Sequence, residues 1–225
     1  MAQSSHPHLP SPPEADATTN IRLLCVDDHP LVREGVTRKI DAQPDMQVVA
    51  SAATGEEAVK LFEQHRPDVT LMDLNLPGMS GLETIEAIRR KHPSARIVVL
   101  TMYKGDEDIH RALESGASAY VLKTTVSDDL VRVVREVHAG AKPMSSDVAS
   151  QLAARAVSPP LTPRERVVVE MMAKGLRNKE IAYELGISED TVEVHARNLF
   201  TKLGVRDRTA AVTAAIRRGI IHLPQ

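Results

Sequence analysis

Residues 21–28 read IRLLCVDD: an apolar run of strand length at 21–26 is followed by two aspartates. Four further short apolar runs follow along the chain, at 46–50, 69–72, 97–100 and 119–122. Their length and β-branched residues favour strands that are buried on both faces. Segments with helical spacing lie between and after these runs, roughly at 30–42, 55–65, 81–91, 106–115 and 127–139. Five strands that alternate with five helices predict an α/β fold, a doubly wound parallel sheet over residues 21–140.

The composition excludes several classes of protein. The chain has 225 residues, of which 42% are hydrophobic and 26% charged, as is usual for globular proteins. No apolar run is long enough to cross a membrane, and residues 1–20 lack the pattern of a secretory signal. A single cysteine, Cys25, rules out an internal disulfide framework and fits a reducing compartment. We therefore expect a cytoplasmic protein without a membrane partner.

The remaining parts of the chain differ in composition from the α/β region. Residues 1–20 are rich in Ser, Pro, His and Thr and are predicted to be a disordered tail. Residues 141–160 combine a Pro-Met-Ser-Ser turn, an alanine-rich stretch and Ser-Pro-Pro, and predict a linker with a short helix. Residues 159–225 carry 11 Lys and Arg against 8 Asp and Glu, whereas residues 20–140 carry 15 against 19. The C-terminal part is therefore the candidate for contact with nucleic acid.

Residues 161–225 contain helix signals only. Residues 162–165 form a capping box around Pro163, which predicts the start of a first helix. Three more helices are predicted at 178–185, 188–203 and 207–218. The tight turn at Gly186 between the second and third helices is typical of a helix-turn-helix, whose second helix enters the DNA major groove. This region is predicted to be a small all-α, four-helix domain.

Four of the five predicted strands lead into side chains suited to phosphoryl chemistry. These side chains belong to Asp27, Asp28, Asp73, Thr101 and Lys123. The carboxyl ends of the strands in a doubly wound sheet share the edge where ligands bind. Three carboxylates against one ammonium favour a divalent cation, and Mg²⁺ prefers such oxygen ligands. Asp73 could then attack a phosphoryl group whose oxygens are held by Lys123 and Thr101.

Each residue of this set also has a simpler interpretation when it is taken alone. Asp27 or Asp28 can cap the helix that is predicted to begin at Pro30. Asp73 can be a turn residue before the Leu-Pro-Gly at 76–78. The convergence of all five residues on one edge favours the binding site.

Four segments of residues 20–140 resemble the flavodoxin-like receiver domain of two-component response regulators. They are VDDHP at 26–30, LMDLNLPGMSG at 71–81, LT at 100–101 and GASAYVLK at 116–123. The resemblance implies that a partner histidine kinase phosphorylates Asp73. The ligands it implies for Mg²⁺ are Asp27, Asp28, Asp73 and the backbone carbonyl of Asn75. It also makes Thr101 and Tyr120 a switch pair, in which Tyr120 rotates inward when the Thr101 hydroxyl moves to the phosphoryl group.

Five segments of residues 161–222 resemble the LuxR/NarL-type DNA-binding domain. They are LTPRE at 161–165, GLRNKEIA at 175–182, LGIS at 185–188, TVEVH at 191–195 and KLGV at 202–205. The base-reading positions implied by the match are Glu193, Val194 and Arg197. The implied phosphate contacts are Asn178, Lys179, Thr191 and Lys202. The implied dimer contacts are Val205, Val212 and Ala215.

Glu193 departs from the family, which usually has a lysine at this position. Two interpretations stay open. Glu193 can accept a hydrogen bond from cytosine N4 and shift the target sequence. Alternatively, it can pair with Arg197 one helical turn away and read no base.

The two resemblances together predict a transcription regulator in which phosphorylation favours a homodimer on double-stranded DNA. RNA polymerase is a further candidate partner. The chain is not expected to be an enzyme, beyond slow Mg²⁺-dependent self-phosphorylation and self-dephosphorylation. A phosphatase of the haloacid dehalogenase type would need a second aspartate where this chain has Asn75. A ligand-sensing LuxR relative would need an apolar sensing domain in the place of the receiver pattern.

Overall fold

The computed structural model describes residues 20–102, 105–123, 129–156 and 159–221. The predicted disordered tail lies outside the described residues except for Asn20, and so does the predicted start of a helix at 127. None of the described helices combines the length and the apolar composition that a membrane span requires.

The N-terminal region is the predicted doubly wound parallel sheet. Its strands are β1 (Ile21–Val26), β2 (Met46–Ala52), β3 (Val69–Met72), β4 (Ile97–Thr101) and β5 (Ala119–Leu122). Its helices are α1 (Pro30–Asp41), α2 (Gly55–His65), α3 (Gly81–Lys91), α4 (Asp106–Glu114) and α5 (Asp129–His138). All strand pairs are parallel, in the order β2-β1-β3-β4-β5. The chain order reverses between β1 and β3, the position at which such sheets bind ligands.

Each face of the sheet carries its own apolar core. Leu23 and Cys25 of β1 pack on the face that α1 and α5 cover. Leu24 and Val26 alternate with them and pack on the face that α2, α3 and α4 cover. Burial raises the pKa of the Cys25 thiol to about 12, so the only cysteine of the chain is an unreactive core residue.

The region between the two domains does contain a helix, α6 (Ser146–Ala156). Val148 is 3% exposed and belongs to the core formed with α2, α3 and α4, and Leu152 packs against that core. The linker helix is therefore part of the packing of the receiver-like sheet.

The C-terminal region is the predicted four-helix domain. Its helices are α7 (Pro163–Ala173), α8 (Asn178–Leu185), α9 (Glu189–Leu203) and α10 (Arg208–Arg217). Val168, Ile181, Val192 and Leu199 are fully buried in a core shared by α7, α8 and α9. Gly186 ends α8 with φ at 62°, a left-handed conformation that favours glycine, and allows α9 to begin three residues later, at Glu189.

Glu165 ties the start of α7 to the end of α9. Its carboxylate accepts hydrogen bonds from the backbone N–H of Thr162 at 2.7 Å and from the Lys202 ammonium at 2.8 Å. Burial acts to raise the pKa of Glu165, but the donors from Lys202 and Thr162 outweigh it and lower the pKa. The ionised carboxylate therefore stabilises this domain.

Replacing Glu165 with Gln is expected to lower the free energy of unfolding of the C-terminal domain by about 1–3 kcal/mol at neutral pH, because it removes a buried charge-assisted bond. The stabilisation is present above the unfolded pKa of about 4.3 and is lost as the pH falls through the lowered folded value. Hydrogen exchange of the α7 and α9 amides measures the change. The exposed Glu184→Gln on α8 is the control, and equal exchange in both variants at neutral pH would contradict the assignment.

Candidate functional site

The parallel register of β1, β2 and β3 places two aspartates side by side. The N–H of Asp73 donates to the carbonyl of Val26 at 2.9 Å, and that of Asp27 donates to the carbonyl of Ala52 at 3.1 Å. Both residues thus extend the ladder by one position beyond the strands. Their side chains are 2–4% exposed and lie together at the carboxyl edge of the sheet.

Gly81 allows α3 to begin directly against the backbone of Asp73. A Cβ at residue 81 would lie 2.0 Å from the Asp73 carbonyl oxygen and 2.7 Å from Leu74 Cα. The N–H of Gly81 donates to the Leu74 carbonyl at 2.9 Å, and Ser80 caps the helix through a capping box with Glu83. The loop after β3 is therefore held tightly, and the position of Asp73 with it.

Lys123 lies between the two aspartates. Its ammonium is 2.6 Å from Asp27 Oδ2 and 2.7 Å from Asp73 Oδ2, and its side chain is 6% exposed. Burial acts to lower the pKa of Lys123, but the two carboxylates outweigh it and raise the pKa. Burial raises the pKa of Asp73 in spite of Lys123, and the Asp27 charge adds to the rise. One ammonium does not neutralise two carboxylates, so this pair of shifts indicates a site with unbalanced negative charge.

The same edge has the donor set of a divalent cation site. Asp27, Asp28, His29 and Asp73 each offer a ligand atom, and these atoms lie within 4.8 Å of one another. Asp27 Oδ2 and Asp28 Oδ1 are buried in ion-pair contacts but accept no hydrogen bond of good geometry. Carboxylate oxygens with unused lone pairs suit Mg²⁺, so the residues present fit this ion.

His29 belongs to this cluster and was not singled out by the sequence interpretation. Its Nδ1 lies 2.6 Å from Asp28 Oδ1 and 3.4 Å from Asp27 Oδ1, and it occupies the position before α1. Its place directly after two aspartates was the available signal. A side chain that is 53% exposed gives the pocket a polar rim.

Two other predicted residues, Asn75 and Thr101, lie around the pocket. The backbone N–H of Asn75 lowers the pKa of Asp73 through a hydrogen bond, so Asn75 lies beside it, while metal binding by its carbonyl stays a prediction. Thr101 is fully buried at the end of β4, paired with Leu122 of β5. The strand pattern predicted this position for Thr101.

Tyr120 lies on β5 and is buried, at 4% exposure. Burial raises the pKa of its hydroxyl, with smaller contributions from Asp108 and Asp73. The inward rotation of Tyr120 on phosphorylation stays a prediction.

The predicted base-reading residues share the outer face of α9. Glu193 and Arg197 are exposed, and Val194 is 49% exposed, although its side chain is apolar. The opposite face of α9 is buried against α7 and α8. Within the described chain, Glu193 and Arg197 form no ion pair, in contrast to one of the two interpretations of Glu193.

The predicted phosphate contacts divide into two groups. Lys179 is exposed, and Asn178 and Thr191 are half-buried in the first turns of α8 and α9. Lys202 instead donates to Glu165 and to the Pro160 carbonyl at 3.2 Å. Its charge is therefore engaged inside the domain.

One predicted dimer contact is wrong. Ala215 is fully buried in the core of its own domain, because this side of α10 packs on α7 and α9, and so it offers no surface to a second copy. Val205 and Val212 are half-buried and their dimer role stays a prediction.

Comparisons with known proteins agree with this architecture. The family model described as response regulator receiver domain matches residues 23–135, and the one described as bacterial regulatory proteins, luxR family, matches residues 159–215. The nitrate/nitrite response regulator protein NarP of Escherichia coli (strain K12) is 42% identical over 206 residues, which cover 88% of this chain and 94% of the relative. NarL of the same strain is 40% identical over 198 residues, with 84% and 92% covered.

A solved structure of RcsB from Salmonella enterica serovar Typhimurium, bound to a promoter in the presence of the phosphomimetic BeF3−, is also similar. It shares 27% identity with a TM-score of 0.69 and covers 87% of this chain and 97% of that one. Both domains and their order along the chain are thus matched by relatives over most of their length. The chain belongs to the two-component response regulators that join a receiver domain to a LuxR-type DNA-binding domain.

Proposed function

We propose that Asp73 is the phosphoacceptor of this response regulator and that its phosphorylation controls binding of DNA by α9. The observation that carries the proposal is the position of Asp73, which lies beside Asp27 with one shared ammonium at the carboxyl edge of the sheet. The raised pKa of Asp73 means that its charge is poorly compensated. A bound divalent cation would relieve this imbalance and would offset the further negative charge that a phosphoryl group brings.

The residues of the pocket have distinct roles in this proposal. An Asp73 oxygen forms the new bond to phosphorus as the bond to the imidazole nitrogen of a histidine kinase breaks. Lys123 pairs with the phosphoryl oxygens, and the Thr101 hydroxyl donates to one of them. Asp27, Asp28, Asp73 and the Asn75 carbonyl would hold Mg²⁺, which would supply positive charge to the same oxygens when bound. Slow self-phosphorylation from small phosphodonors and hydrolysis by water follow from the same arrangement.

Replacing Asp28 with Asn is expected to weaken Mg²⁺ binding by about tenfold or more, because removal of even an outer-shell partner costs that much. Isothermal titration calorimetry of the full chain with Mg²⁺ measures the affinity. Glu34→Gln, on the exposed side of α1, is the matched control and should bind as wild type does. Unchanged binding in the Asp28 variant would exclude this residue from the site.

We further propose that Glu193, Val194 and Arg197 read bases, and that Asn178, Lys179 and Thr191 hold phosphates. The exposed outer face of α9 and the exposure of Lys179 in the first turn of α8 support these roles. The engagement of Lys202 with Glu165 makes it a weaker candidate for a phosphate contact. The absence of an ion pair between Glu193 and Arg197 in the described residues favours the reading of a base by Glu193.

Replacing Glu193 with Lys is expected to change the selected DNA sequence and to remove a preference for cytosine of about tenfold, since one good base contact is worth about 1–3 kcal/mol. Selection from a random DNA pool, followed by sequencing, measures the preference. The control Glu184→Lys makes the same charge change on α8. A selected sequence that is identical for wild type and Glu193→Lys would show that Glu193 reads no base.

The partners follow from the family. Two-component response regulators interact with histidine kinases and DNA, and we propose a cytoplasmic chain that dimerises when Asp73 is phosphorylated, with RNA polymerase as a further partner. Sedimentation of the full chain with Mg²⁺ and beryllofluoride tests the dimer. A shift to twice the monomer mass supports it, and a monomer under both conditions contradicts it.

A further inference from the structure

The first turn of α4, with the glycine before it, contacts the DNA-binding domain of the same chain. We call residues 105–108 the docking turn. The Arg218 guanidinium of the C-terminal domain donates two hydrogen bonds to the Asp106 carboxylate, from Nη2 at 2.9 Å and from Nε at 3.2 Å. Glu107 pairs with Arg166 of α7 at 2.9 Å and with Arg155 of α6 at 3.1 Å. Two acidic residues thus meet three arginines from outside α4.

The backbones of the two domains also meet at this place. The N–H of Glu107 donates to the carbonyl of Arg218, just after α10, at 3.1 Å. A Cβ at Gly105 would lie 2.5 Å from the Arg218 carbonyl carbon, and a Cβ at Gly219 would lie 2.0 Å from Asp108 Oδ2. The positive N-terminal end of α4 therefore faces the negative C-terminal end of α10 at a distance that only glycines allow.

Two carboxylates of the docking turn are buried. Asp106 is 7% exposed and Asp108 is 2% exposed. Burial acts to raise the pKa of Glu107, but Arg155 and Arg166 outweigh it and lower the pKa. Buried carboxylates persist only where partners compensate for the lost hydration, so the partners from the C-terminal domain are part of what stabilises this turn.

The outer face of α9 takes no part in the contact. Glu193, Val194 and Arg197 remain exposed while Arg166 and Arg218 are held by α4. We propose that the docking turn is a binding site for the DNA-binding domain of the same chain, which it holds by α7 and the end of α10 while the DNA-reading face of α9 stays uncovered. This inference rests on the proposed DNA contact through α9. The receiver accordingly restrains the direction in which the DNA-binding domain points, without covering its reading surface.

The test uses two variants that weaken the contact in different ways. Glu107→Arg brings a third guanidinium to Arg155 and Arg166. Gly105→Ala adds a methyl group against Arg218, at a φ of −65° that alanine adopts without strain. The matched controls are Glu114→Arg, at the other end of α4, and Gly35→Ala, where a Cβ meets nothing within 4 Å. Circular dichroism checks that all four variants fold.

Two measurements on the unphosphorylated full chain decide the outcome. The first is the distance distribution between spin labels on Lys60→Cys and Lys174→Cys, one in each domain. We expect a narrow distribution in wild type and in the controls, and a broader, longer one in Glu107→Arg and Gly105→Ala. The second is the affinity for a duplex with a single half-site, which should change by less than about twofold in these variants.

Each unfavourable result identifies what has failed. An unchanged distance distribution in both variants would overturn the docking site. A half-site affinity that rises about tenfold or more when the domains separate would show that the receiver covers α9. Separation of the domains in a chain that binds no DNA at all would leave the docking site standing and would contradict the proposed function.

Discussion

Replacing Asp73 with Asn is expected to abolish phosphorylation of the chain by acetyl phosphate, lowering the rate by more than about 10³-fold because the attacking oxygen is lost. The other two aspartates of the pocket are the alternative acceptors: Asp27 shares the Lys123 ammonium with Asp73, and Asp28 contacts His29. Mass spectrometry of the intact chain and of its peptides measures the phosphoryl group and its location.

The Asp73→Asn variant is also expected to be no less stable than wild type when divalent metal is removed. Burial raises the pKa of Asp73, so the folded chain favours the protonated carboxyl. This contribution to the free energy of unfolding is fully present below the unfolded pKa of about 3.9, and it is lost as the pH rises through the raised folded pKa. Asn has no charge to bury at neutral pH. Phosphorylation of Asp73→Asn at the wild-type rate would contradict the acceptor assignment, and a variant that is unfolded would contradict the electrostatic account.

Replacing Lys123 with Ala is expected to lower the free energy of unfolding of the receiver by about 3–5 kcal/mol at neutral pH without divalent metal. The reason is that removal of one partner of a buried ion pair destabilises the folded state, because the charge of the other partner stays buried and uncompensated. Lys123 lies 2.6 Å and 2.7 Å from two carboxylates that are almost fully buried. Hydrogen exchange of the β1 and β3 amides measures the loss in the domain concerned.

The loss should depend on metal and on pH. Saturating Mg²⁺ replaces part of the missing positive charge and should reduce the difference from wild type. Removal of Lys123 raises the pKa of Asp73 further, so the loss should grow as the pH rises through that value and shrink in acid. The control Lys91→Ala removes a lysine that is 64% exposed and 3.6 Å from Glu63, and it should cost less than about 1 kcal/mol. A loss equally small for Lys123→Ala would contradict the charge balance proposed for the pocket.

The receiver fold and its pocket could be predicted from the sequence because both follow from local patterns. Short apolar runs identify parallel strands, and β1, β3 and β5 have the predicted bounds. In such a sheet the residues after the strands must share an edge, whatever the details of packing. Asp27, Asp73 and Lys123 therefore lie together at this edge, with the Lys123 ammonium within 2.7 Å of an oxygen of each carboxylate.

Features that depend on packing between distant segments could not be predicted in this way. Lys202 lies on the polar side of α9 by periodicity, but its ammonium pairs with Glu165, which belongs to the capping box of α7. The family match implies a dimer contact for Ala215, but its small side chain allows close helix packing and it is buried in its own domain. The three acidic residues that begin α4 give no sign in the sequence that two of them meet arginines from another domain.

The most direct test of the account is the affinity of the full chain for its selected DNA site, measured with and without beryllofluoride and Mg²⁺ in wild type and in Asp73→Asn. The phosphoryl mimic is expected to raise the affinity of wild type by about 5–150-fold, the range of ordinary allosteric coupling. It should leave Asp73→Asn unchanged. A wild type that does not respond, or an Asp73→Asn variant that responds equally, would contradict control of DNA binding through Asp73.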